Sequence, residues 1–452
     1  MSAPDQLRDE LEQRLATAQA EWRAPSVAGA VFSCGEMLWQ RAVGLADVES
    51  GEEATVEHAY RIGSITKTFT AVAIMQLRDE GQLSLDVPVR AYLPEFPAGA
   101  TVRQALSHLA GIQREPPGEI WETMQAPTRD ELIAGLPDAE QVLAPGELWH
   151  YSNLAFASLG EVVARAGASY ERTLRERILD PLGLGRTRLR PEGARATPYF
   201  VDPYADRARV EPDPEATEST AAAGWLWSTL GDLARWADFL CTGAEGVLAR
   251  TTLDEMARVR TMVDQERWTL AWGLGLELYR RGDRVLAGHG GAMPGFLATV
   301  CVDRTSRTGA AVLTNTAAGA APETLALDFA CAALDALPHT PQPWAPGDVP
   351  ATVEPLLGLW WTEGARLVIS YREGRLQAEL VDGPEGRRTS YLSPDGDDRW
   401  RVAKGRERGE LLRVVRTEGG AIVKLYFATY PVTRHPSTFG EDPPQPTRSP
   451  AA

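Results

Sequence analysis

The spacing of apolar residues along the chain changes between a helical pattern and a strand pattern. Between Leu7 and Ala18 the apolar residues stand three or four positions apart, a spacing that predicts an amphipathic helix. A second helical pattern begins at Thr66 and ends at Gly81. The predicted helices cover residues 5–22, 66–81, 154–166 and 323–337.

Short apolar runs predict strands, and their order along the chain indicates a fold class. Residues 82–265 lack this strand pattern and are predicted to be mainly helical. The longest Pro-rich loop among them, residues 190–217, is expected to be a flexible surface excursion. This order predicts an α+β fold: an antiparallel sheet flanked by helices, with an inserted all-α subdomain at about residues 82–265. The predicted strands cover residues 27–32, 37–43, 59–62, 272–279, 284–287, 296–302 and 310–313.

The C-terminal part of the chain has a different pattern. A linker rich in Pro and Gly, residues 341–352, ends a first domain at residues 1–340. Residues 353–435 contain short apolar runs separated by Gly and Asp turns, which predict a small antiparallel β domain, a barrel or a sandwich. No catalytic constellation is visible in it. Residues 436–452 are expected to be a disordered tail.

Composition narrows the range of partners and locations. The 452 residues are 44% hydrophobic, which favours globular domains, and a formal net charge of -16 argues against nucleic acid as a partner. No apolar stretch approaches membrane-spanning length and no export signal is visible, so we expect a cytoplasmic protein unless the true start codon lies upstream. The four cysteines lie far apart without metal-binding spacing, and we expect buried free thiols rather than disulfides.

The first candidate for chemistry is a serine followed by a lysine. The chain has only three lysines, Lys67, Lys404 and Lys424. Lys67 follows Ser64 by three residues at the start of a predicted helix, so one helical turn places its amine beside the serine hydroxyl. A desolvated, neutral amine can remove the proton of that hydroxyl and make it a nucleophile. The alternative is a capping serine followed by a solvated lysine.

Two further stretches could complete such a site. Asn153, one of two asparagines, follows Tyr151 by two residues at the start of a predicted helix, where it could also serve as the N-cap. An ammonium near Tyr151 would lower the pKa of its phenol and make it a base or proton relay. The third stretch, Gly288 to Ala292, has glycines that would allow a substrate to approach, and His289 in it could equally be a surface residue of a tight turn.

These three stretches, in this order, resemble the serine β-lactamase-like superfamily, which includes class C β-lactamases, D,D-peptidases, D-aminopeptidases and related esterases. The similarity covers roughly residues 10–340. It lies in YRIGSITKTF from Tyr60, in the stretch from Pro145 to Asn153, in AAGWLWSTLGDLARWADF from Ala222, and in GHGGAMPGF from Gly288.

The resemblance implies a role for each matching residue. Ser64 would attack a carbonyl and become acylated, Lys67 would take its proton, and Tyr151 would protonate the leaving group and later help to activate water. The backbone N–H groups of Ser64 and Ala292 would form the oxyanion hole. No metal or organic cofactor is implied. The implied substrate-binding residues are Asn153, His289, Gly291 and Ala292.

Two departures from the family pattern bear on specificity. His289-Gly290-Gly291 stands where β-lactamases usually have Lys-Thr-Gly, so a permanent cation is replaced by an imidazole expected to be charged part of the time. His289→Lys should therefore shift preference toward carboxylate-bearing substrates about fivefold, as for one partly exposed ion pair. The segment from Leu106 to Gly111 also departs from the commoner pattern, and His108 in it is expected to be structural.

The sequence therefore predicts a serine hydrolase, an esterase or a peptidase/amidase acting on small ester, amide or peptide substrates. A β-lactamase or D,D-carboxypeptidase is the alternative within the same chemistry. A non-catalytic binding or scaffold protein is the alternative outside it, since one fold can host unrelated functions. No membrane partner is expected, and the oligomeric state stays open.

Overall fold

A computed structural model describes residues 3–97, 99–213, 217–317, 319–337, 344–362, 364–384 and 386–438. The chain divides into two compact units, Met1–His339 and Thr340–Ala452. The predicted tail, residues 436–452, lies outside the described residues beyond position 438. Across the described helices, none combines the length and apolar character needed to cross a membrane.

The first unit is built on an antiparallel sheet with helices on both faces. Among the described residues its sheet has nine strands, in the order β3-β2-β1-β13-β12-β11-β10-β9-β8. The strands of the first unit are β1 (Ser26–Ser33), β2 (Glu36–Asp47), β3 (Glu52–Glu53), β4 (Tyr60–Arg61), β5 (Tyr199–Val201), β6 (Ala208–Val210), β7 (Trp227–Ser228), β8 (Thr261–Met262), β9 (Leu270–Trp272), β10 (Glu277–Arg281), β11 (Arg284–Met293), β12 (Phe296–Asp303) and β13 (Thr308–Thr314).

Most helices of this unit lie between β4 and β8 in the sequence. The α-helices of the first unit are α1 (Ala3–Glu21), α2 (Thr66–Asp79), α3 (Val102–Leu106), α4 (Ile120–Thr123), α5 (Arg129–Gly135), α6 (Asn153–Arg165), α7 (Tyr170–Leu174), α8 (Ala221–Gly224), α9 (Leu230–Thr242), α10 (Arg250–Met256) and α11 (Pro322–Ala336). The region expected to be a loop at residues 190–217 contains the hairpin of β5 and β6, so that expectation was incomplete.

Strand β13 shows how the sheet acquires two buried faces. All of its residues are buried, and successive side chains point to opposite faces. Val312 joins the apolar cluster formed with α1 and α11, whereas Leu313 joins the cluster formed with α2 and α9. A strand covered on both sides explains why this segment is continuously apolar in the sequence.

One predicted strand, residues 272–279, is interrupted in the structure. Strand β9 ends at Trp272 and β10 begins at Glu277. Between them the backbone turns, with the N–H of Gly273 bonded to the carbonyl of Leu276 at 2.8 Å. The apolar periodicity continues through this turn because Leu274 and Leu276 are both buried, so the pattern alone did not reveal the break.

The second unit is an eight-stranded antiparallel sheet within its described residues. Each strand pairs with the next, and Trp361 and Thr433 exchange backbone hydrogen bonds that bring the last strand close to the first. The prediction of a small barrel-like β domain is therefore confirmed. The strands are β14 (Gly358–Thr362), β15 (Ala365–Arg372), β16 (Arg375–Leu380), β17 (Thr389–Pro394), β18 (Arg399–Lys404), β19 (Leu411–Arg416), β20 (Ile422–Phe427) and β21 (Tyr430–Val432).

Two of the four cysteines are less buried than expected, Cys34 and the half-buried Cys331. All four are free, and Cys241 and Cys301 are buried as expected. Cys34, however, is exposed, because it lies in the tight turn between β1 and β2, where its φ is +52°. The general prediction of an α+β fold with an antiparallel sheet, flanking helices, inserted helices and a C-terminal β domain is confirmed.

Candidate active site

Ser64 lies in a tight turn that two glycines allow to approach strand β11. The turn, Gly63–Ile65, connects β4 to α2 and packs directly against the backbone of β11. Gly63 has φ +50°, and a Cβ atom there would lie 2.4 Å from the backbone nitrogen of Ala292. From the other side, a Cβ atom on Gly291 would lie 1.9 Å from the carbonyl oxygen of Ile62. Any larger residue at either position would push the serine away from β11.

The hydroxyl of Ser64 has two side-chain partners. Nζ of Lys67 lies 3.0 Å from Oγ of Ser64, since one turn of chain separates the two residues. The phenol of Tyr151 donates to the same Oγ at 2.7 Å. Sequence motifs 87 positions apart therefore meet at one oxygen atom.

Lys67 is buried and held by two further groups. Its ammonium donates to Oδ1 of Asn153 at 2.7 Å and to the backbone carbonyl of Ala223. Burial lowers the pKa of Lys67 to about 7, the charge of Glu115 opposes this shift, and that of Arg114 adds to it. At neutral pH a large share of the amine is therefore unprotonated and able to accept the proton of Ser64.

This pKa predicts how activity depends on pH. The predicted base is the neutral amine of Lys67, so we expect kcat/KM to rise with pH through about 7. Glu115→Gln removes the negative charge that most favours protonated Lys67, while the amide oxygen can still accept from Asn153, as Oε1 does now at 2.8 Å. In this variant the rising limb of the plot of kcat/KM against pH should move to lower pH. The measurement uses one neutral ester for both proteins. A limb that stays in place or moves upward would contradict the assignment of Lys67 as the base.

The expectation for the pKa of Tyr151 was wrong in direction. Burial raises the pKa of the phenol, and the hydrogen bond to Ser64 opposes this only in part. A nearby permanent ammonium was expected to lower it, but Lys67 is itself buried and only partly charged at neutral pH. Tyr151 is therefore suited to remain protonated and donate a proton rather than to exist as a free phenolate.

Asn153 connects Lys67 to Glu115 and does not cap its helix. Its Oδ1 accepts from Lys67, and its Nδ2 donates to Oε1 of Glu115 at 2.8 Å. The N-cap of α6 is Ser152 instead, whose Oγ accepts from the N–H of Ala155. The cap prediction was off by one residue, and the side chain of Asn153 is free to serve the site.

His108 supports Tyr151 from behind, outside the group that contacts Ser64. Its Nδ1 accepts the N–H of Ser152 at 3.0 Å, and its ring stacks on that of Tyr151 with centroids 4.2 Å apart. Burial lowers the pKa of His108 well below its usual range, so the imidazole is neutral at pH 7. Trp272 packs its ring against both side chains.

His289 differs from both expectations for it. It lies within β11 rather than in a surface turn, and only 1% of it is exposed. Burial lowers its pKa to about 3, with a smaller contribution from Lys67, so the imidazole is neutral at physiological pH rather than partly charged. Its Nδ1 lies 2.5 Å from the carbonyl oxygen of Gly290 and 3.6 Å from Oε1 of Glu277.

A cavity of about 840 Å³ contains the predicted residues and several that were missed. Ser64, Tyr151, Asn153, His289, Gly291 and Ala292 all line it. Arg114, Glu115, Glu277 and Glu323 line it as well, although no sequence motif marked them. Glu277 could have been noticed as a charged residue inside an apolar strand pattern, whereas the other three stand in loops or at a helix end.

Comparison with known proteins agrees with this architecture. A family model described as Beta-lactamase matches residues 11–334, and residues 349–434 match a Domain of unknown function (DUF7586). The protein belongs to the β-lactamase family.

Its relatives differ in their described activities. It is 31% identical to Beta-lactamase-like protein 2 of Dictyostelium discoideum over 49% of this chain and 43% of that protein. It is 33% identical to Esterase EstB of Burkholderia gladioli over 38% of this chain and 48% of that protein, so it spans less than half the length of either relative. The structure of a D-stereospecific amidohydrolase from Streptomyces sp. is similar with a TM-score of 0.61 and 26% identity, over 71% of this chain and 97% of that one.

Proposed function

We propose that this protein is a serine hydrolase that acts through an acyl-Ser64 intermediate on small ester or amide substrates, as an esterase or a peptidase/amidase. The observation that carries the proposal is the single oxygen Oγ of Ser64, which lies 3.0 Å from the amine of Lys67 and 2.7 Å from the phenol of Tyr151. These are the distances that proton transfer to and from a nucleophile requires.

The reaction follows from these contacts. Neutral Lys67 takes the proton of Ser64 as Oγ attacks the substrate carbonyl. The backbone N–H groups of Ser64 and Ala292 stabilise the resulting oxyanion, an effect worth about 3 kcal/mol per donor in comparable sites. Tyr151, protonated because its pKa is raised, gives a proton to the leaving group and takes one back from the ammonium of Lys67. Water then hydrolyses the acyl-enzyme, and Ser64 regains its proton.

The charges around the cavity favour substrates without a carboxylate. Three glutamates line it, Glu115, Glu277 and Glu323, and among its described lining residues Arg114 is the only Lys or Arg. Buried, neutral His289 offers no cation where a lysine would be expected in a β-lactamase. The similarity to an esterase and to an amidohydrolase supports the same choice.

A fluorophosphonate probe tests the nucleophile directly. We expect one covalent adduct per chain, mapped to Ser64 by peptide mass, and no adduct on Ser64→Ala. Ser33→Ala, at a serine of β1 that does not line the cavity, should label normally. Unchanged labelling of Ser64→Ala would refute the assignment. Absence of labelling in the wild type, together with no turnover of any ester, would favour a non-catalytic role.

A pair of chromogenic substrates separates the proposed esterase from a β-lactamase. p-Nitrophenyl butyrate is neutral, whereas nitrocefin carries a carboxylate that the three glutamates would repel. We expect kcat/KM for the ester to exceed that for nitrocefin by about fivefold, because one unfavourable contact between partly exposed charges costs about 1 kcal/mol. If nitrocefin is the faster substrate, the β-lactamase or D,D-carboxypeptidase alternative replaces the esterase.

A further inference from the structure

One wall of the cavity has carboxylates that the acyl-transfer reaction does not use. Glu277 lies on β10 and Glu323 near the start of α11, and both line the cavity that contains Ser64. A Cβ atom placed on Gly290 would be 3.7 Å from Oε2 of Glu277 and 3.9 Å from Oε2 of Glu323. The two carboxylates thus approach the same point from different elements. We refer to Glu277, Glu323 and His289 as the acidic corner.

The imidazole of His289 approaches this corner with Nδ1. Its Nδ1 faces two oxygen acceptors, the carbonyl of Gly290 and Oε1 of Glu277, so the proton belongs on Nδ1 and Nε2 is an acceptor. Within the described part of the chain Nε2 has no hydrogen-bond partner, although His289 is only 1% exposed and lines the cavity. Nε2 is itself buried, and burial keeps the imidazole neutral, so His289 adds no positive charge to the acidic corner.

The charge of the corner defines the ligand. Burial raises the pKa of Glu277 to about 7, opposed by hydrogen bonds from Tyr279 and Gly290 and by the charge of Lys67. Burial and the charge of Glu277 also raise the pKa of Glu323, which Arg281 lowers in part from outside the cavity lining. Two carboxylates that disfavour each other's ionisation are stabilised by a cation between them.

Neighbouring contacts indicate which part of the substrate carries this cation. Tyr151, the proton donor to the leaving group, packs against Trp272, and the ring of Trp272 lies 5.2 Å from that of His289. A smaller pocket beside Ser64 adjoins the cavity and shares Trp121, Met293 and Glu115 with it. Its remaining lining is mostly apolar and includes Ile120 and Trp225, which suits an uncharged acyl chain. The leaving group therefore lies on the side of the acidic corner.

We propose that the acidic corner binds a protonated amine in the leaving group, so that the preferred substrates are esters or amides of amino alcohols or diamines. This proposal rests on the proposed hydrolase function. Hydrolysis of such an ester consumes one water molecule and releases a carboxylic acid and an ammonium alcohol.

Three butyrate esters of similar leaving-group size test the proposal. 2-(Dimethylamino)ethyl butyrate is protonated at pH 7 and cannot transfer its acyl group to nitrogen, 3-methylbutyl butyrate is its neutral isostere, and 3-(butyryloxy)propanoate is anionic. With butyrate release measured by chromatography, we expect wild-type kcat/KM to favour the ammonium ester over the neutral one by about tenfold, and the anionic ester to be slowest. High salt should reduce the preference, because Glu323 is exposed.

The variant that decides the question is Glu323→Gln. It keeps the shape of the side chain and removes one charge, and it should reduce the preference for the ammonium ester about fivefold while turnover of the neutral ester persists. Glu36→Gln, an exposed position on β2 outside the cavity, carries the same charge change and should leave the preference unchanged.

The outcomes separate the two proposals. If Ser64 is labelled and the neutral or anionic ester is hydrolysed as fast as the ammonium ester, the acidic corner is not an ammonium site. An ammonium preference that survives Glu323→Gln at full strength would also overturn it. If no ester is hydrolysed and no probe reacts at Ser64, the hydrolase function itself is refuted.

Discussion

Lys67→Ala, Tyr151→Phe and the double variant should each lower kcat by a similar factor, about 10³-fold, for hydrolysis of a neutral ester. Both side chains contact the same atom, Oγ of Ser64, at 3.0 and 2.7 Å, and a proton taken up by one must be delivered through the other. Once one partner is missing the relay is already broken, so removing the second partner adds little. Initial rates for the four proteins at saturating substrate give the comparison.

Folding must be checked separately for these variants. Lys67→Ala leaves Oδ1 of Asn153 and the carbonyl of Ala223 without their buried donor, which can destabilise the protein. Thermal unfolding and fluorophosphonate labelling therefore accompany each rate, and Lys404→Ala, at an exposed lysine of the second unit, is the matched control. If the loss of activation free energy in the double variant equals the sum of the losses in the two single variants, Lys67 and Tyr151 act independently. The proposal that they form one proton relay would then be wrong.

Helix and strand positions could be predicted where periodicity coincided with burial. Helix α2 begins at Thr66 as predicted, and all of its residues from Thr66 to Leu77 are buried. It ends at Asp79, two residues before Gly81. The break between β9 and β10 was missed because Leu274 and Leu276 remain buried through the turn. Apolar spacing reports burial, and it reports secondary structure only when the backbone stays regular.

Some residues of the candidate site could be predicted from the sequence and others could not. Ser64, Lys67, Tyr151, Asn153 and His289 were predicted from local motifs. Four of them line one cavity, and Lys67 is buried next to it, in contact with Ser64. Their catalytic roles stay predictions. Glu115, Ala223, Glu277 and Glu323 could not be predicted, because each reaches the site through tertiary packing from a segment without a motif.

The electrostatic predictions were the least reliable, because they depend on burial. His289 was expected to be an ordinary imidazole that is charged part of the time, and Tyr151 was assigned a lowered pKa from a neighbouring ammonium. In the folded protein, desolvation is the largest contribution to both pKa values, and it makes the imidazole neutral and the phenol hard to ionise. The fivefold effect expected for His289→Lys assumed a partly exposed ion pair. A lysine at this buried position would lie beside Glu277, so part of its charge would be neutralised before any substrate binds.

Gly291→Ala should reduce kcat/KM by about 10² to 10³-fold, although alanine adds a single methyl group. That methyl carbon would lie 1.9 Å from the carbonyl oxygen of Ile62 and 3.1 Å from the backbone nitrogen of Ser64. No side-chain rotation can relieve the clash, since both neighbouring atoms belong to the backbone. Strand β11 and the Ser64 turn must therefore move apart, which separates the two N–H groups proposed to form the oxyanion hole. Overpacking of this kind typically costs about 1 to 3 kcal/mol of stability as well.

Two other glycines serve as controls for the loss of kcat/KM expected in Gly291→Ala. At Gly290, the preceding residue of the same strand, a Cβ atom would be 3.7 Å or more from its nearest neighbours, so Gly290→Ala should lose much less activity than Gly291→Ala. At Gly231, in helix α9, nothing lies within 4 Å, and Gly231→Ala should keep wild-type kcat/KM and gain up to about 1 kcal/mol of stability. Measurements of ester hydrolysis and thermal unfolding rank the three variants by activity and by stability. Full activity in Gly291→Ala would mean that the approach of β11 to Ser64 is not required, and the proposed oxyanion hole would have to lie elsewhere.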